Sequence, residues 1–440
     1  MNDKLNATLP VEQKISTGEK IKKFFLDNIV SVIFVALTVT GLLVSDGVSL
    51  NFFLGQLAER FFRNAFLVLA LIIPAMAGLG LNFGIVVGAI AGQLAIVFVR
   101  YFGMGGVGAL LLCCLVALPL ALLFGFLTGK LYNKTRGQEM IASLIVGYFA
   151  SGIYQFLLLF VVGVVIPVAA VHPLITPFTG VGIRSTVDLG SAQDGGLMYA
   201  LDGILYMPLM LAILIIAGVF LAYNIVRFVM AKKKSHIAGP KKSSLILSFI
   251  ICVAIIVISA HAMITQSALT IAKDVPVVTG VLVVLLCLFT HFIMKTKLGQ
   301  DFRSVGQSQS IADAAGINVD KTRIIATVIS TVLAAWGMII YLQNMGTLST
   351  YTSHLNIGIF SVASILVGGA STSHATIKHA IIGTLLFNAM TIVSPEFGFT
   401  LFGDAGSGEY FRTFMVYGVI GVALGLYVWK ANKAKRNKVE

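Results

Sequence analysis

The sequence predicts an all-α, polytopic membrane protein with about ten to twelve transmembrane or half-crossing helices. The first observation is composition: 58% of the 440 residues are hydrophobic, only 11% are charged, and the mean hydropathy is +0.95. These values lie far outside the range of soluble globular domains. The second observation is that apolar runs of roughly 20 residues, the length that crosses a bilayer, recur between short polar breaks.

The apolar runs give the predicted helices in order. Their bounds are 29–45, 64–80, 82–99, 107–128, 140–166, 205–226, 243–261, 275–294, 324–343, 357–369, 377–393 and 411–429. Several runs are short or carry Gly and Pro, notably around Pro74, Gly78 and Gly80 and around Gly368 and Gly369. Because such residues interrupt membrane helices, we expect some runs to cross only half of the bilayer.

The basic residues predict the orientation. Lysine and arginine are concentrated before the first run, in the breaks at 130–136, 232–242 and 295–323, and in the tail. Positively charged segments remain in the cytoplasm, so both termini are predicted to be cytoplasmic. The predicted organisation is a cytoplasmic segment at 1–28, a membrane domain at 29–430 and a cytoplasmic basic tail at 431–440.

The longest break, 167–205, is acidic rather than basic. It carries Asp188, Asp194 and Asp202 against a single Arg184, which is typical of a loop on the external side. This external loop could contact a protein that delivers a substrate, and a solvated loop is an equally good interpretation.

Several function classes are disfavoured by composition. The net charge of +13 could indicate nucleic acid, but the basic clusters lack interleaved aromatic residues that could stack on bases. The four cysteines, Cys113, Cys114, Cys252 and Cys287, all lie in apolar runs, so neither disulfides nor a metal site is predicted. No carboxylate pair, ligand cluster or nucleophile at useful spacing indicates an enzyme.

The source of energy for transport is also constrained. A chain that hydrolyses its own ATP needs a phosphate-binding loop of glycines, lysine and Ser or Thr, and the sequence has none. An ion-coupled secondary transporter is the alternative interpretation. No Asp or Glu lies inside any of the apolar runs above, which counts against ion coupling, although backbone oxygens alone could hold sodium.

The polar break at 295–323 has the local pattern of a short, capped helix. Ser310 is predicted to begin the helix, Asp313 to complete a capping box, and Gly316 to end it in a left-handed conformation. Small and apolar residues at Ile311, Ala314 and Ala315 would let another protein approach closely. Arg303, Lys321 and Arg323 are predicted to lie at the membrane surface on its flanks. A solvated loop that joins two spans is the other interpretation.

From Leu298 to Ala326, the sequence LGQDFRSVGQSQSIADAAGINVDKTRIIA resembles the cytoplasmic loop of ABC importer permeases of the branched-chain amino acid, ribose and nucleoside transport group. The matching positions are Gly299, Arg303, Gly306, Ala312, Ala315, Gly316 and Ile317. Ser308 departs from the pattern, because relatives usually carry asparagine there. The stretch GIFSVASILVGGAS resembles the second recognisable region of the group, and RGQEMIASLIVGY a more weakly shared one.

The resemblance implies that 29–430 is a permease domain and that 295–323 carries the coupling helix, which fits into a groove of a separate ATPase. The implied ATPase-coupling residues are Gly299, Arg303, Gly306, Ser310, Ile311, Asp313, Ala314, Ala315 and Gly316. The implied partners are cytoplasmic ABC ATPase subunits, a second permease (the same or a related chain) and an extracytoplasmic solute-binding protein. This chain would then bind no cofactor of its own, ATP would be used by the ATPase, and the site of action would be the plasma membrane.

A short repeat suggests where the pathway lies. LNFGI at 81–85 recurs as LNIGI at 355–359, and the predicted topology gives the two copies opposite directions, as in an inverted repeat. The predicted translocation-pathway residues are Asn82, Asn356, Ser361, Ser364, Gly368, Gly369 and Ser371. Close helix packing is the competing interpretation for each glycine. The neutral side chains favour an uncharged polar solute, and we expect a nucleoside or simple sugar among the solutes of the group.

Overall fold

The computed structural model describes residues 28–45, 47–168, 172–176, 180–233, 242–265, 274–371 and 374–436. The predicted segment 1–28, apart from its last residue, and the last four residues of the predicted tail lie outside these ranges. The first helices are α1 (Ile29–Val44), α2 (Leu50–Ala70), α3 (Ile72–Met76), α4 (Ile85–Tyr101), α5 (Gly106–Lys134), α6 (Glu139–Phe156), α7 (Leu209–Lys233) and α8 (Lys242–Ile264). The remaining ones are α9 (Val277–Ile293), α10 (Lys297–Gln307), α11 (Gln309–Ala314), α12 (Val319–Met345), α13 (Ser353–Val367), α14 (Ile377–Phe402) and α15 (Ala405–Arg436).

The architecture confirms an all-α polytopic membrane protein. In the described part, the helices long and apolar enough to cross a bilayer are Gly106–Lys134, Glu139–Val161, Leu209–Val226, Val319–Met345 and Ile377–Phe402. The shorter apolar helices are Ile29–Val44, Ile85–Tyr101, Ser248–Ile264 and Ser353–Val367. Several apolar runs thus form helices too short for a full crossing, among them α4 and α13. The first copy of the repeat ends at Ile85, the first residue of α4, and the second copy lies within α13.

The predicted run 64–80 has the wrong boundaries. The helix α2 already begins at Leu50, where Ser49 caps it by accepting a hydrogen bond from the Phe52 amide at 3.3 Å. Only the last part of α2 and the short α3 fall within the predicted run, which ends in a turn with left-handed Gly78 and Gly80. The first half of α2 was not recognised as part of an apolar run because it carries polar and charged residues.

The helix α12 lies at the centre of the bundle, with most of its length buried against α5, α4 and α2. Glycines make this packing close. A Cβ at Gly125 would lie 2.8 Å from the Cα of Val328, and one at Gly92 would lie 3.1 Å from the Cβ of Met338. Small residues of this kind let membrane helices approach, so packing accounts for these glycines.

The described part of the predicted external loop is folded. Four short strands form two antiparallel pairs, in which β1 (Thr186–Asp188) pairs with β4 (Thr347–Ser349) and β2 (Tyr206–Met207) with β3 (Val275–Pro276). We call the described part of 162–207 the folded loop. Its buried Asp202 accepts hydrogen bonds from Thr279 and Asn344, so the loop is fixed to α9 and to the end of α12.

The two helices of the repeat pack antiparallel. The His354 ring near the start of α13 pairs with Gln93 in the middle of α4 at 2.8 Å between Nδ1 and Oε1. One turn further along α13, Gly358 lies against Val86 near the start of α4. Opposite directions in the pair are what an inverted repeat requires, and the repeat itself stays a prediction.

Candidate functional site

The polar segment after α9 forms a bent unit of two helices, α10 and α11, which we call the elbow. The axis turns by 76° between α9 and α10. Thr296 caps α10 through the Gly299 amide at 3.4 Å, and Gly299 packs so closely on Met294 that a Cβ would overlap its Cα. The elbow is therefore a built structure and not a loose connection.

The N-cap of the second helix of the elbow lies two residues earlier than predicted. Ser308, and not Ser310, is its N-cap, because the Ser308 Oγ accepts from the Ile311 amide at 3.3 Å. Serine and asparagine are both good N-cap residues, so the departure at Ser308 preserves this function. The predicted left-handed stop is confirmed at Gly316, whose φ is +80°. Asp313 is exposed, and Asn318 caps the following α12.

The tip of the elbow is apolar and exposed. The Ile311 side chain is 72% exposed, while its neighbour Ala312 is 1% exposed and packs on Val305 and Val319. The remaining predicted coupling residues that are exposed are Arg303, Ser310, Asp313, Ala314, Ala315 and Gly316. A short helix that is anchored on one face and exposes an isoleucine among small and polar residues on the other is suited to a protein partner.

The elbow contacts the end of the short helix α3 and the turn that leads into α4. Gly306 of α10 lies against the Met76 carbonyl at the end of α3, and a Cβ at Gly78 would lie 2.8 Å from the Gly306 Cα. The backbones thus meet directly, with no side chain between them. Any displacement of α10 must therefore act on the turn at 77–84.

A buried polar network lies beside the same turn. Asn82 is 2% exposed, and its Oδ1 accepts from the Tyr132 hydroxyl at 2.7 Å and from the Gly84 amide at 2.9 Å. The Tyr132 carbonyl in turn accepts from Arg323 at 3.0 Å, and Arg323 forms an ion pair with Glu139 at 2.6 Å. We call these four side chains, Asn82, Tyr132, Glu139 and Arg323, the buried network.

The position of Arg323 corrects the sequence prediction. The residue was expected at the membrane surface on the flank of the loop, yet it is 0% exposed and enclosed by α5, α6 and α12. Glu139, at the start of α6, is its partner. A buried arginine requires a carboxylate close by, and the sequence places these two residues in separate segments.

The other predicted pathway residues lie in different surroundings. Asn356 is exposed on α13, whereas its repeat counterpart Asn82 is buried and accepts two hydrogen bonds at its Oδ1. Ser361 and Ser364 are buried, and the Ser364 hydroxyl donates to the Phe360 carbonyl of its own helix at 2.7 Å. At the end of α13 the three remaining predictions are Gly368, packed against α14, Gly369 at φ +91° and the half-buried Ser371.

A further polar group lies on α2 and was missed because the helix was predicted to begin at residue 64. Arg60, Arg63 and Asn64 are half-buried on the side of α2 that faces α12 and α14. Asn64 donates to Asn388 of α14 at 2.9 Å. We call these residues, with Asn388, the polar seam.

The same boundary error affects the argument against ion coupling. Glu59 lies inside α2, and Glu396 lies inside α14, which extends to Phe402 rather than to residue 393. Carboxylates therefore do occur within membrane-domain helices. Glu59 lies beside the positive charge of Arg60, which favours an ion-pair role for this carboxylate.

In the described ranges, no group of three or more His, Cys, Asp or Glu side chains could hold a metal ion.

The architecture and the elbow define a class of protein, the membrane subunit of a transporter. A family model described as the permease component of the branched-chain amino acid transport system matches residues 182–424, more than half of the chain. The chain belongs to this family of ABC importer permeases.

Two curated relatives agree with the family. The chain is 28% identical over 162 residues to the probable ABC transporter permease protein YphD of Escherichia coli (strain K12), over 37% of this chain and 48% of that protein. It is 25% identical over 132 residues to the fructose import permease protein FruG of Bifidobacterium longum (strain NCC 2705), over 29% of this chain and 38% of that protein. The chain thus spans less than half the length of these relatives. No solved structure matches it.

Proposed function

We propose that this chain forms the translocation pathway of an ATP-driven importer in the plasma membrane, with both termini in the cytoplasm. Separate ABC ATPase subunits bind the elbow and supply the energy. A second permease, the same or a related chain, completes the pathway, and an extracytoplasmic solute-binding protein delivers the solute. The observation that carries the proposal is the exposed apolar tip of α11 on an otherwise tightly anchored elbow.

A continuous series of contacts from the elbow to α5 supports the coupling role. The elbow touches the turn at 77–84 through Gly306 and Gly78, and the same turn is bonded to α5 through Asn82 and Tyr132. Movement of the ATPase surface against Ile311 would therefore be transmitted to the turn at 77–84 and to the start of α4. Rigid secondary elements in direct contact are the physical means by which such coupling travels.

The solute is proposed to be a small, uncharged polar molecule, a nucleoside or a simple sugar. The described pathway candidates are neutral amides, hydroxyls and glycines, which exchange hydrogen bonds with a neutral solute without leaving a charge unpaired. The similarity to a fructose import permease supports a sugar, although the shared region covers less than a third of this chain.

Aspartate at the tip of the elbow tests the coupling role. We expect Ala314→Asp and Ala315→Asp each to lower ATP hydrolysis stimulated by the permease by at least about tenfold. A tenfold loss needs only about 1.4 kcal/mol, and an unpaired carboxylate buried at an interface costs more than that. The measurement is ATP hydrolysis by the reconstituted assembly with and without the solute-binding protein.

Gln138→Asp is the matched control. Gln138 is exposed in the break before α6, where an aspartate at the helix N-cap is well tolerated. This variant introduces the same charge outside the elbow and should retain stimulated hydrolysis. Normal stimulated hydrolysis by Ala314→Asp and Ala315→Asp would show that the tip of α11 does not contact the ATPase.

A further inference from the structure

The polar seam lies within the membrane domain and reaches the end of α12, to which the folded loop is fixed. Arg60 is roughly 15 Å along α2 from its first residue, at 1.5 Å of rise per residue. Its Nη1 donates to the Thr391 hydroxyl at 3.5 Å, and Thr391 lies near the middle of α14. Arginine at this depth is costly in hydrocarbon and marks a water-accessible or ligand-binding surface.

The seam offers hydrogen-bond donors that the protein does not use. The Nε–H groups of Arg60 and Arg63 are buried, and neither finds an acceptor among the residues that the structure describes. Arg63 donates from Nη1 to Asn344 at 3.4 Å, and its guanidinium carbon lies 5.4 Å from the centre of the Tyr341 ring. A planar donor held against an aromatic ring is a fixed platform for a solute that presents oxygen acceptors.

Positive charge predominates around Arg60, because Arg63 and Arg412 repel it more strongly than Glu59 attracts it. Glu59 lies near Arg60, and the Asn344 that accepts from Arg63 donates its own amide to Asp202 at 2.7 Å. Arg412, which is close enough to repel Arg60, is paired with Glu409 at 2.6 Å. The two arginines of the seam therefore favour a solute that presents electron-rich oxygen atoms to them.

We infer that the polar seam is the solute-binding surface of this permease, where Arg60 and Arg63 donate hydrogen bonds to the hydroxyl and carbonyl oxygens of the solute. Asn64 and Asn388 form the adjacent wall of the surface. This inference rests on the proposed importer function and makes the seam, rather than the buried Asn82, the principal solute contact.

The test is uptake by vesicles that contain the permease, its ATPase and its solute-binding protein, with labelled ribose, fructose, adenosine and leucine as probes. For the probe that the parent assembly accumulates, we expect Arg60→Gln and Arg63→Gln each to raise the KM of uptake by about tenfold or more, the loss expected for a hydrogen bond from a charged donor. Arg60→Lys keeps the charge without the planar fork and should give an intermediate KM.

Two controls separate binding from folding and docking. Arg136→Gln removes an arginine from the exposed surface and should leave KM unchanged. Hydrolysis of ATP stimulated by the solute-binding protein should persist in Arg60→Gln and Arg63→Gln, because the hydrogen bonds of the seam run to α12 and α14, whereas the ATPase is proposed to bind the elbow. Loss of that stimulation together with weaker binding of the solute-binding protein would overturn the inference and make the arginines a docking site.

The outcomes also separate this inference from the proposed function. If the parent assembly accumulates none of the four probes in an ATP-dependent manner, the proposed function fails and the inference with it. If the parent accumulates a probe and both glutamine variants retain its KM, the inference alone is overturned.

Discussion

Glu139→Gln and Arg323→Met are each expected to destabilise the protein by about 3–5 kcal/mol, because either change leaves the other member of a buried ion pair without its partner. The Arg323 side chain has no access to solvent, so water cannot replace the lost carboxylate. Thermal unfolding of the detergent-solubilised protein measures the effect. The double variant with Glu139→Leu and Arg323→Met should recover much of the loss, since apolar residues of similar volume can replace a buried pair.

The surface pair Arg136–Asp320 supplies the control for this prediction. It is also short, at 2.5 Å, but its side chains are 48% and 57% exposed. Exposed ion pairs contribute about 0–1 kcal/mol, so Arg136→Gln should change stability little. Equal, small effects of Glu139→Gln and Arg136→Gln would mean that the buried network does not hold α6 and α12 together.

Gly368→Ala is expected to lower the free energy of unfolding by about 1–3 kcal/mol or more. The added Cβ would overlap the His379 carbonyl oxygen and lie 2.8 Å from the Gly383 amide nitrogen. Both are backbone atoms, which cannot rotate aside as a side chain can. The backbone of Gly368 is not left-handed, so the effect is due to packing of α13 on α14 and not to conformational strain. Thermal unfolding and vesicle uptake should be measured on the same preparation.

Gly108→Ala in α5 is the matched substitution. No heavy atom lies within 4 Å of the added Cβ, and alanine is favoured over glycine in a helix by about 1 kcal/mol. This variant should be as stable as the parent or more so. If Gly368→Ala keeps the parent's stability and loses uptake alone, then Gly368 contributes to the pathway rather than to packing.

The features that depend on local composition could be predicted from the sequence. Mean hydropathy and run length identified the membrane class, and the breaks around Gly78 and Gly369 fall where helices end. The elbow was predicted as a capped helix because serine, glycine and small apolar residues have strong local preferences. The N-cap was predicted at Ser310 rather than at Ser308, because Asp313 follows Ser310 by three residues and completes the capping-box pattern, whereas Ile311 stands at that distance from Ser308.

The features that depend on distant pairing could not be predicted. Arg323 appears in the sequence as one more basic residue of a polar break, and only the fold brings it to Glu139. The first half of α2 was missed because its charged stripe lowers the hydropathy on which run boundaries depend. The folded loop has no strong periodicity, and its strands are specified by partners at 275–276 and 347–349.

ATP-dependent accumulation is the most direct test of the central proposal. The purified chain, reconstituted in vesicles with its partner ATPase and solute-binding protein, should concentrate labelled nucleosides or sugars when ATP is supplied and should not do so without ATP. Uptake that instead follows an imposed proton or sodium gradient in the absence of the ATPase would contradict the importer function and favour a secondary transporter.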